Sequence, residues 1–276
     1  MIRDFIHRVL KVPLLMRVRY DHSISSEPEL TVVFLHGIAS SYATWREVLP
    51  VLAHDKDLAK VRFIALDLIG FGRSEKPDWY LYDYASYRKT ITRTLKKLKI
   101  STPIILCGHS MGCLIAADYA ANGEIIIDKL VLVSPPIIRA REVAGVKDLV
   151  YTRLYGDLRN HTDAKAIKIA ANLVDALSSF EKKSLNTRAF RMSMDNIILN
   201  KGNYGLFSGL RMPMEVIHGR LDPLVIGANL RQLAERNNHF HLTETFGGHD
   251  MTGAKAKKIN KIIKETLVLT LLHDYK

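Results

Sequence analysis

Short apolar runs alternate with amphipathic stretches along most of the chain. The runs are four to seven residues long and mostly aliphatic, and each ends in a turn that carries polar residues or glycine. The pattern predicts seven strands, at residues 14–20, 31–35, 61–66, 103–107, 130–133, 214–217 and 240–245. Continuously apolar strands separated by helical segments are typical of a mostly parallel sheet with helices on both faces. We therefore predict a doubly wound α/β fold.

Residues 137–212 break this alternation, because they show helical periodicity and no convincing strand. One apolar stripe at helical spacing lies among them: Ile167, Ala170, Ala171, Val174 and Leu177. We predict that residues 1–136 and 213–276 form the α/β core and that residues 137–212 form a helical cap. The cap is expected to cover the carboxyl ends of the strands, where open α/β sheets bind their ligands.

Composition excludes some classes of function. The chain has 276 residues, a hydrophobic fraction of 47% and a formal net charge of +12. No zinc-binding spacing or RNA-binding aromatic motif accompanies this charge, so we predict no nucleic-acid partner. The densest basic run is Lys255, Lys257, Lys258, Lys261 and Lys264. Isoleucines at helical spacing separate these lysines, and we interpret the run as the solvated face of a terminal helix.

The cysteines and the N-terminus bear on location. Cys107 and Cys113 lie in apolar segments, which predicts buried free thiols and a reducing, cytoplasmic compartment. Apolar residues at positions 2, 5, 6, 9 and 10 predict a short N-terminal helix that caps the domain. A membrane-surface role for this helix is the less favoured alternative. No segment reaches the roughly 18 apolar residues of a membrane span.

The pentapeptide Gly-His-Ser-Met-Gly at residues 108–112 carries the clearest chemical signal. A buried strand precedes it, and a small apolar segment typical of a buried helix follows it. A serine on a sharp strand-to-helix turn projects its hydroxyl clear of the sheet, and glycines on either side let strand and helix approach each other. We predict that Ser110 is a catalytic nucleophile.

A serine hydroxyl needs a base, and the base needs a group that orients it. His249 is the candidate base, because it follows the last predicted strand and two glycines. It is preferred to His239, His241 and His273.

Asp222 is the candidate acid, because it follows the buried strand at 214–217. It is preferred to Asp250 and Asp67. Since Pro223 comes next, Asp222 also fits the N-cap of a helix, and the two roles are compatible.

The tetrahedral intermediate of acyl transfer needs hydrogen-bond donors for its oxyanion. We predict the backbone amide of Met111, at a helix N-terminus, as one donor. The amide of Ile38, in the loop after strand 31–35, is the second candidate. Gly37 lets this loop turn tightly, and His36 is predicted to brace it by hydrogen bonding rather than to take part in the chemistry.

Together, these features resemble the α/β-hydrolase superfamily. Five motifs stand in the family's order: His36-Gly37 with Ser41 and Trp45, Asp67-Leu-Ile-Gly-Phe-Gly-Arg-Ser74 with Lys76-Pro77, the pentapeptide at 108–112, His218-Gly-Arg-Leu-Asp222, and Gly248-His249. The resemblance implies about eight strands with one early antiparallel strand, and a cap inserted after the sixth. It assigns Ser110, Asp222 and His249 as the catalytic triad, without a cofactor or metal. We interpret the loop at 70–74 as structural.

At a few positions this chain differs from particular subgroups of the family, which makes the reactions of those subgroups less favoured. Serine at position 110 argues against members that open epoxides or displace halides through a carboxylate. Members that cleave C–C bonds typically carry tryptophan after the catalytic histidine and asparagine before the nucleophile, where this chain has Asp250 and His109. We therefore expect a serine hydrolase of carboxylic esters, acting on small esters or monoacyl lipids.

Several alternatives stay open at this stage. They are acyl transfer to an alcohol or peroxide, C–C bond cleavage, and ligand binding without catalysis. We expect a small-molecule ester as partner and a monomer or dimer as the assembly, with peripheral membrane contact less favoured. Packing against the core is the preferred interpretation of the cap's apolar residues, ahead of an acyl pocket: Met192, Met194, Ile197, Ile198, Leu199 and Phe207.

Overall fold

The computed structural model describes residues 7, 9, 13–150 and 186–273. Two predicted features lie mostly or wholly outside these residues. Of the N-terminal helix only His7 and Val9 are described, and the apolar stripe from Ile167 to Leu177 is not described at all. Both features stay predictions.

Seven strands form a single sheet. They are β1 (Arg17–His22), β2 (Leu30–Leu35), β3 (Val61–Asp67), β4 (Ile104–His109), β5 (Lys129–Val133), β6 (Met214–Gly219) and β7 (Phe240–Thr245). Their spatial order is β1-β3-β2-β4-β5-β6-β7. β1 runs antiparallel to β3, and the other neighbouring strands pair in parallel. The predicted α/β class is confirmed, and each strand read from the apolar runs is present.

Two details of the sheet differ from expectation. The eighth strand implied by the family resemblance is absent from the described residues, and the first strand begins at Arg17 instead of residue 14. The amide of Met16 donates to Thr94 Oγ1 at 3.1 Å, and that of Arg17 donates to Ser74 Oγ at 2.8 Å. Because these amides bond to side chains, the ladder with β3 begins only at Arg17.

Helices cover both faces of the sheet. They are α1 (Leu49–Ala53), α2 (Tyr84–Lys97), α3 (Met111–Asn122), α4 (Val143–Val150), α5 (Thr187–Ser193), α6 (Tyr204–Gly209), α7 (Gly227–Arg236) and α8 (Gly253–His273). One face of the sheet packs against α2, α3 and α7, and the other packs against α1 and α8. The central strands β2 to β6 are therefore buried on both sides, which explains their mostly apolar sequences, whereas the edge strand β7 is only partly buried.

The two cysteines lie within this core. Cys107, on β4, and Cys113, on α3, are buried free thiols, as predicted. They belong to the apolar clusters on opposite faces of the sheet. Their burial raises the pKa of both thiols, which keeps them protonated and unreactive.

The described part of residues 137–212 contains α4, α5 and α6 and no strand. Its apolar side chains belong to the same cluster as α3, in keeping with packing against the core: Met194, Ile197, Ile198, Leu199 and Phe207. The limits of the cap stay a prediction, because residues 151–185 are not described. None of the described helices combines the length and apolarity needed to cross a bilayer.

Candidate active site

Ser110 occupies the sharp turn between β4 and α3. Its backbone has φ 53° and ψ −121°, a conformation that costs energy in any residue with a side chain. A Cβ on Gly108 would lie 2.6 Å from the Cys113 nitrogen, and one on Gly112 would lie 2.4 Å from the Leu35 oxygen. The turn therefore requires both glycines. The predicted strand-to-helix turn is present, with the serine at its apex.

Asp222 and His249 form a buried pair at the carboxyl ends of β6 and β7. Each lies in the loop that follows its strand. His249 Nδ1 donates a hydrogen bond to Asp222 Oδ2 at 2.8 Å. Because the carboxylate accepts from Nδ1, the other ring nitrogen, Nε2, is left to accept a proton.

The environment of Asp222 keeps its carboxylate ionised. Burial alone would raise the pKa of Asp222, but hydrogen bonds from His249 and the Leu224 amide hold it below its usual range, and the Ser134 hydroxyl contributes to this effect. Asp222 is not a helix N-cap, because α7 begins only at Gly227. Its Oδ1 instead accepts from the Leu224 amide at 2.9 Å and closes a local turn.

The loop after β2 lies against the nucleophile. A Cβ on Gly37 would lie 3.1 Å from the Cβ of Ser110. His36 is fully buried behind this loop: the Leu68 amide donates to Nε2 at 2.9 Å, and Nδ1 donates to the Gly37 oxygen at 2.7 Å. Burial lowers the pKa of His36 and favours the neutral ring that these bonds require. The structure thus gives His36 the bracing role expected from the sequence.

Met111 and Ile38 carry the two backbone amides that are predicted to bind the oxyanion. Met111 is the first residue of α3, so its amide has no acceptor within the helix. Ile38 follows Gly37, the glycine that lies close to Ser110. Among the described residues, the Ile38 amide donates to no backbone oxygen. The role of these amides as an oxyanion hole stays a prediction.

His109 connects the nucleophile turn to the loop of His249. Its Nε2 donates to the His249 carbonyl oxygen at 3.0 Å, and the two ring centroids lie 4.9 Å apart. Burial and the neighbouring His249 lower the pKa of His109 well below its usual value, so the ring is neutral. Sequence reasoning gave His109 no role, although its position next to Ser110 was the available signal.

Ser110 and His249 are both described, and no hydrogen bond joins Ser110 Oγ to His249 Nε2 in this structure. Hydrogen bonds of this type are often long before substrate binds and shorten in the Michaelis complex. The contacts of His109 with His249 bring the two loops together.

The alternative acids have other partners. Asp67 accepts from the amides of Tyr42 and Arg73 and pairs with Arg19 at 2.8 Å, which organises the loop at 70–74. Asp250 accepts from its neighbour Thr252. Among the described residues, no group of three or more His, Cys, Asp or Glu side chains is placed to hold a metal ion. The chemistry available at this edge is that of a hydroxyl, an imidazole, a carboxylate and backbone amides.

One lysine of the basic run is not solvated. Lys255 is only 6% exposed, whereas Lys258 on the same helix is exposed. Lys255 Nζ donates to the Gly248 oxygen and, at 3.4 Å, to Ser134 Oγ. The interpretation of the whole run as a solvated face is therefore wrong at Lys255. Its spacing of four residues from buried Ile259 was the signal, because it places Lys255 on the apolar face of α8.

Most of the chain is similar to one family of known proteins. The family model described as alpha/beta hydrolase fold matches residues 31–252. "Probable lysophospholipase BODYGUARD 2" of Arabidopsis thaliana is 40% identical over 121 residues, which are 44% of this chain and 25% of that protein. "AB hydrolase superfamily protein YisY" of Bacillus subtilis is 26% identical over 255 residues, covering 85% of this chain and 90% of that protein.

Solved structures share the same fold. The esterase EaEST from Exiguobacterium antarcticum has a TM-score of 0.67 and 19% identity, covering 91% of this chain and 95% of that chain. Such low identity shows the fold alone. The matches to the plant proteins span only about a quarter of their length, so they do not by themselves transfer an activity.

Proposed function

Since the chain belongs to the α/β-hydrolase fold family, we propose that it is a serine hydrolase that cleaves carboxylic esters through an acyl-enzyme on Ser110. The observation that carries this proposal is the buried Asp222–His249 pair, which lies at the same sheet edge as the strained Ser110 turn. We propose that Ser110, His249 and Asp222 act as the nucleophile, base and acid of a catalytic triad.

The proposed reaction has two halves. Ser110 Oγ attacks the ester carbonyl carbon while His249 Nε2 takes the hydroxyl proton, and Asp222 stabilises the resulting imidazolium. The amides of Met111 and Ile38 bind the oxyanion. Collapse of the intermediate expels the alcohol, which takes the proton from His249. Water then attacks the acyl-enzyme, gives a proton to His249 and releases the carboxylic acid, and the proton returns to Ser110.

Small esters or monoacyl lipids are the proposed substrates. The plant relatives are named as probable lysophospholipases, and the neighbouring solved structures include esterases. Asp250 and His109 stand where the C–C bond hydrolases typically carry other residues, so that reaction is not favoured. Acyl transfer to an alcohol or peroxide would use the same triad and differ only in the acceptor.

Two measurements test the proposal. The wild-type protein should react with a fluorophosphonate probe and hydrolyse p-nitrophenyl esters, and a series from acetate to palmitate, with lysophosphatidylcholine, would define the acyl preference. Ser110→Ala should abolish labelling and lower kcat by as much as ~10⁶-fold, because the nucleophile is lost. Ser26→Ala, at an exposed serine in the loop before β2, is the matched control and should behave as wild type.

Each alternative has its own result. Ester hydrolysis by Ser110→Ala at the wild-type rate would contradict the serine mechanism. A labelled protein that makes new esters in the presence of alcohols, in preference to free acid, would be an acyltransferase. Tight ligand binding without labelling or turnover would indicate a binding protein on the same fold.

A further inference from the structure

Lys255 is a buried cation beside the catalytic pair, and the proposed reaction does not by itself require it. We propose that Lys255 is a positioning residue, which holds the backbone of Gly248 and His249 in place and supplies a fixed positive charge next to Asp222. This inference rests on the proposed roles of Ser110, Asp222 and His249.

The side chain of Lys255 lies against the loop that carries the base. A Cβ on Gly247, where φ is 139°, would lie 3.1 Å from Lys255 Cδ. Glycine at this position therefore allows the lysine stem to pass close to the backbone. The ammonium donates to the oxygen of Gly248, whose peptide group is joined directly to His249. A bond at that oxygen limits how far the imidazole moves.

Packing alone does not account for the ammonium. Removing a charge from water is costly unless it is paired and hydrogen-bonded, and an apolar side chain of similar length would fill the same space without that cost. Burial lowers the pKa of Lys255, whereas attraction to Asp222 and Asp250 opposes that change. The charge is therefore kept in the core by the carboxylates and by its two acceptors, Gly248 and Ser134.

The charge of Lys255 influences the titratable side chains around it. The titratable groups around the ammonium are Asp222 and Asp250 on the loops after β6 and β7, His218 at the end of β6, His109 at the end of β4, and the adjoining base His249. A positive charge beside Asp222 favours its ionised form. Lys255 should thus keep the Asp222 carboxylate ionised, and the site active, to lower pH.

The test compares pH profiles of kcat/KM for one aryl ester and of fluorophosphonate labelling. In Lys255→Met, the acid limb of the pH profile should move to higher pH by roughly one unit, because a charge that favours ionised Asp222 is gone. At a fixed pH on the acid limb, a shift of this size lowers kcat/KM by about tenfold. Lys255→Arg keeps the charge and should retain the wild-type limb. Lys258→Met removes an exposed lysine from the same helix and is the matched control.

The outcomes separate this inference from the proposed function. An acid limb in Lys255→Met that coincides with wild type would overturn the role of Lys255 while leaving the esterase proposal intact. A wild-type protein that neither hydrolyses esters nor reacts with the probe would instead overturn the proposed function. Lys255→Gln makes the same charge change with a polar side chain, and it replaces the methionine variant in the comparison if that variant does not fold.

Discussion

At the scale of single residues, the proposed mechanism makes the charge of Asp222 essential. We expect Asp222→Asn to lower kcat by about 10⁴-fold, because an amide in place of the carboxylate favours the wrong tautomer of His249. Labelling by the fluorophosphonate should slow in parallel. Asp250→Asn changes the alternative acid and should retain most of the activity. Equal losses in the two variants would contradict the assignment of Asp222.

Local sequence patterns pointed to some residues of the candidate site. Others, such as His109, are recognisable only from contacts between distant parts of the chain. Ser110, Asp222 and His249 were singled out because each follows a predicted strand and lies near glycines or turn residues, and their catalytic roles stay predictions. The contact of His109 with the His249 oxygen joins loops 140 residues apart in the chain, and no local pattern encodes it. The burial of Lys255 follows from helical spacing, but the run of like charges around it favoured the opposite interpretation.

At the scale of elements, the loop at 70–74 depends on Gly72. Its φ is 52°, and a Cβ there would lie 2.3 Å from the carboxyl carbon of Asp67. Gly72→Ala should displace this buried carboxylate from the amides of Tyr42 and Arg73, and lower the free energy of unfolding by about 3 kcal/mol. Urea unfolding would measure the change.

A second glycine supplies the control for this substitution. Gly205 lies in α6, and a Cβ there would meet nothing within 4 Å. Gly205→Ala should leave the free energy of unfolding unchanged or raise it by up to about 1 kcal/mol, since alanine favours helix. If both alanine variants were as stable as wild type, the close contact at Asp67 would not be what requires glycine at position 72.

Element types were predictable, but element limits were less so. The apolar runs of the central strands β2 to β6 were recognisable because both faces of the sheet are buried there, which leaves uninterrupted apolar segments in the sequence. The start of β1 depends on the acceptors of its first amides. The amides of Met16 and Arg17 donate to the Thr94 and Ser74 hydroxyls instead of to the neighbouring strand. The start of α7 at Gly227 likewise depends on the turn at Asp222.

At the scale of the whole molecule, buried histidines make stability depend on pH. Burial lowers the pKa of His36 and His109, so both stay neutral in the folded protein while the same residues in the unfolded chain take up protons below about pH 6.5. The unfolded state then binds more protons than the folded state. The free energy of unfolding is therefore highest above about pH 6.5 and falls as the pH drops below it.

The expected dependence of the free energy of unfolding on pH is large enough to measure. Each histidine contributes up to about 1.4 kcal/mol per pH unit, which urea unfolding between pH 7 and 5 would detect. His109→Gln should reduce this pH dependence by the contribution of one histidine. A free energy of unfolding that stays constant over this interval would contradict the linkage.

The order of strands in the sheet also has a consequence for synthesis of the protein. The turn of Ser110 is complete once β2, β4 and β5 have paired, but Asp222 and His249 arrive with the last two strands. The following helix, α8, returns to the first half of the chain, where its Gly253 amide bonds to Glu47. Under the proposed mechanism, a nascent chain therefore carries Ser110 long before it has Asp222 and His249, and it could hydrolyse esters only once both have joined the edge of the sheet.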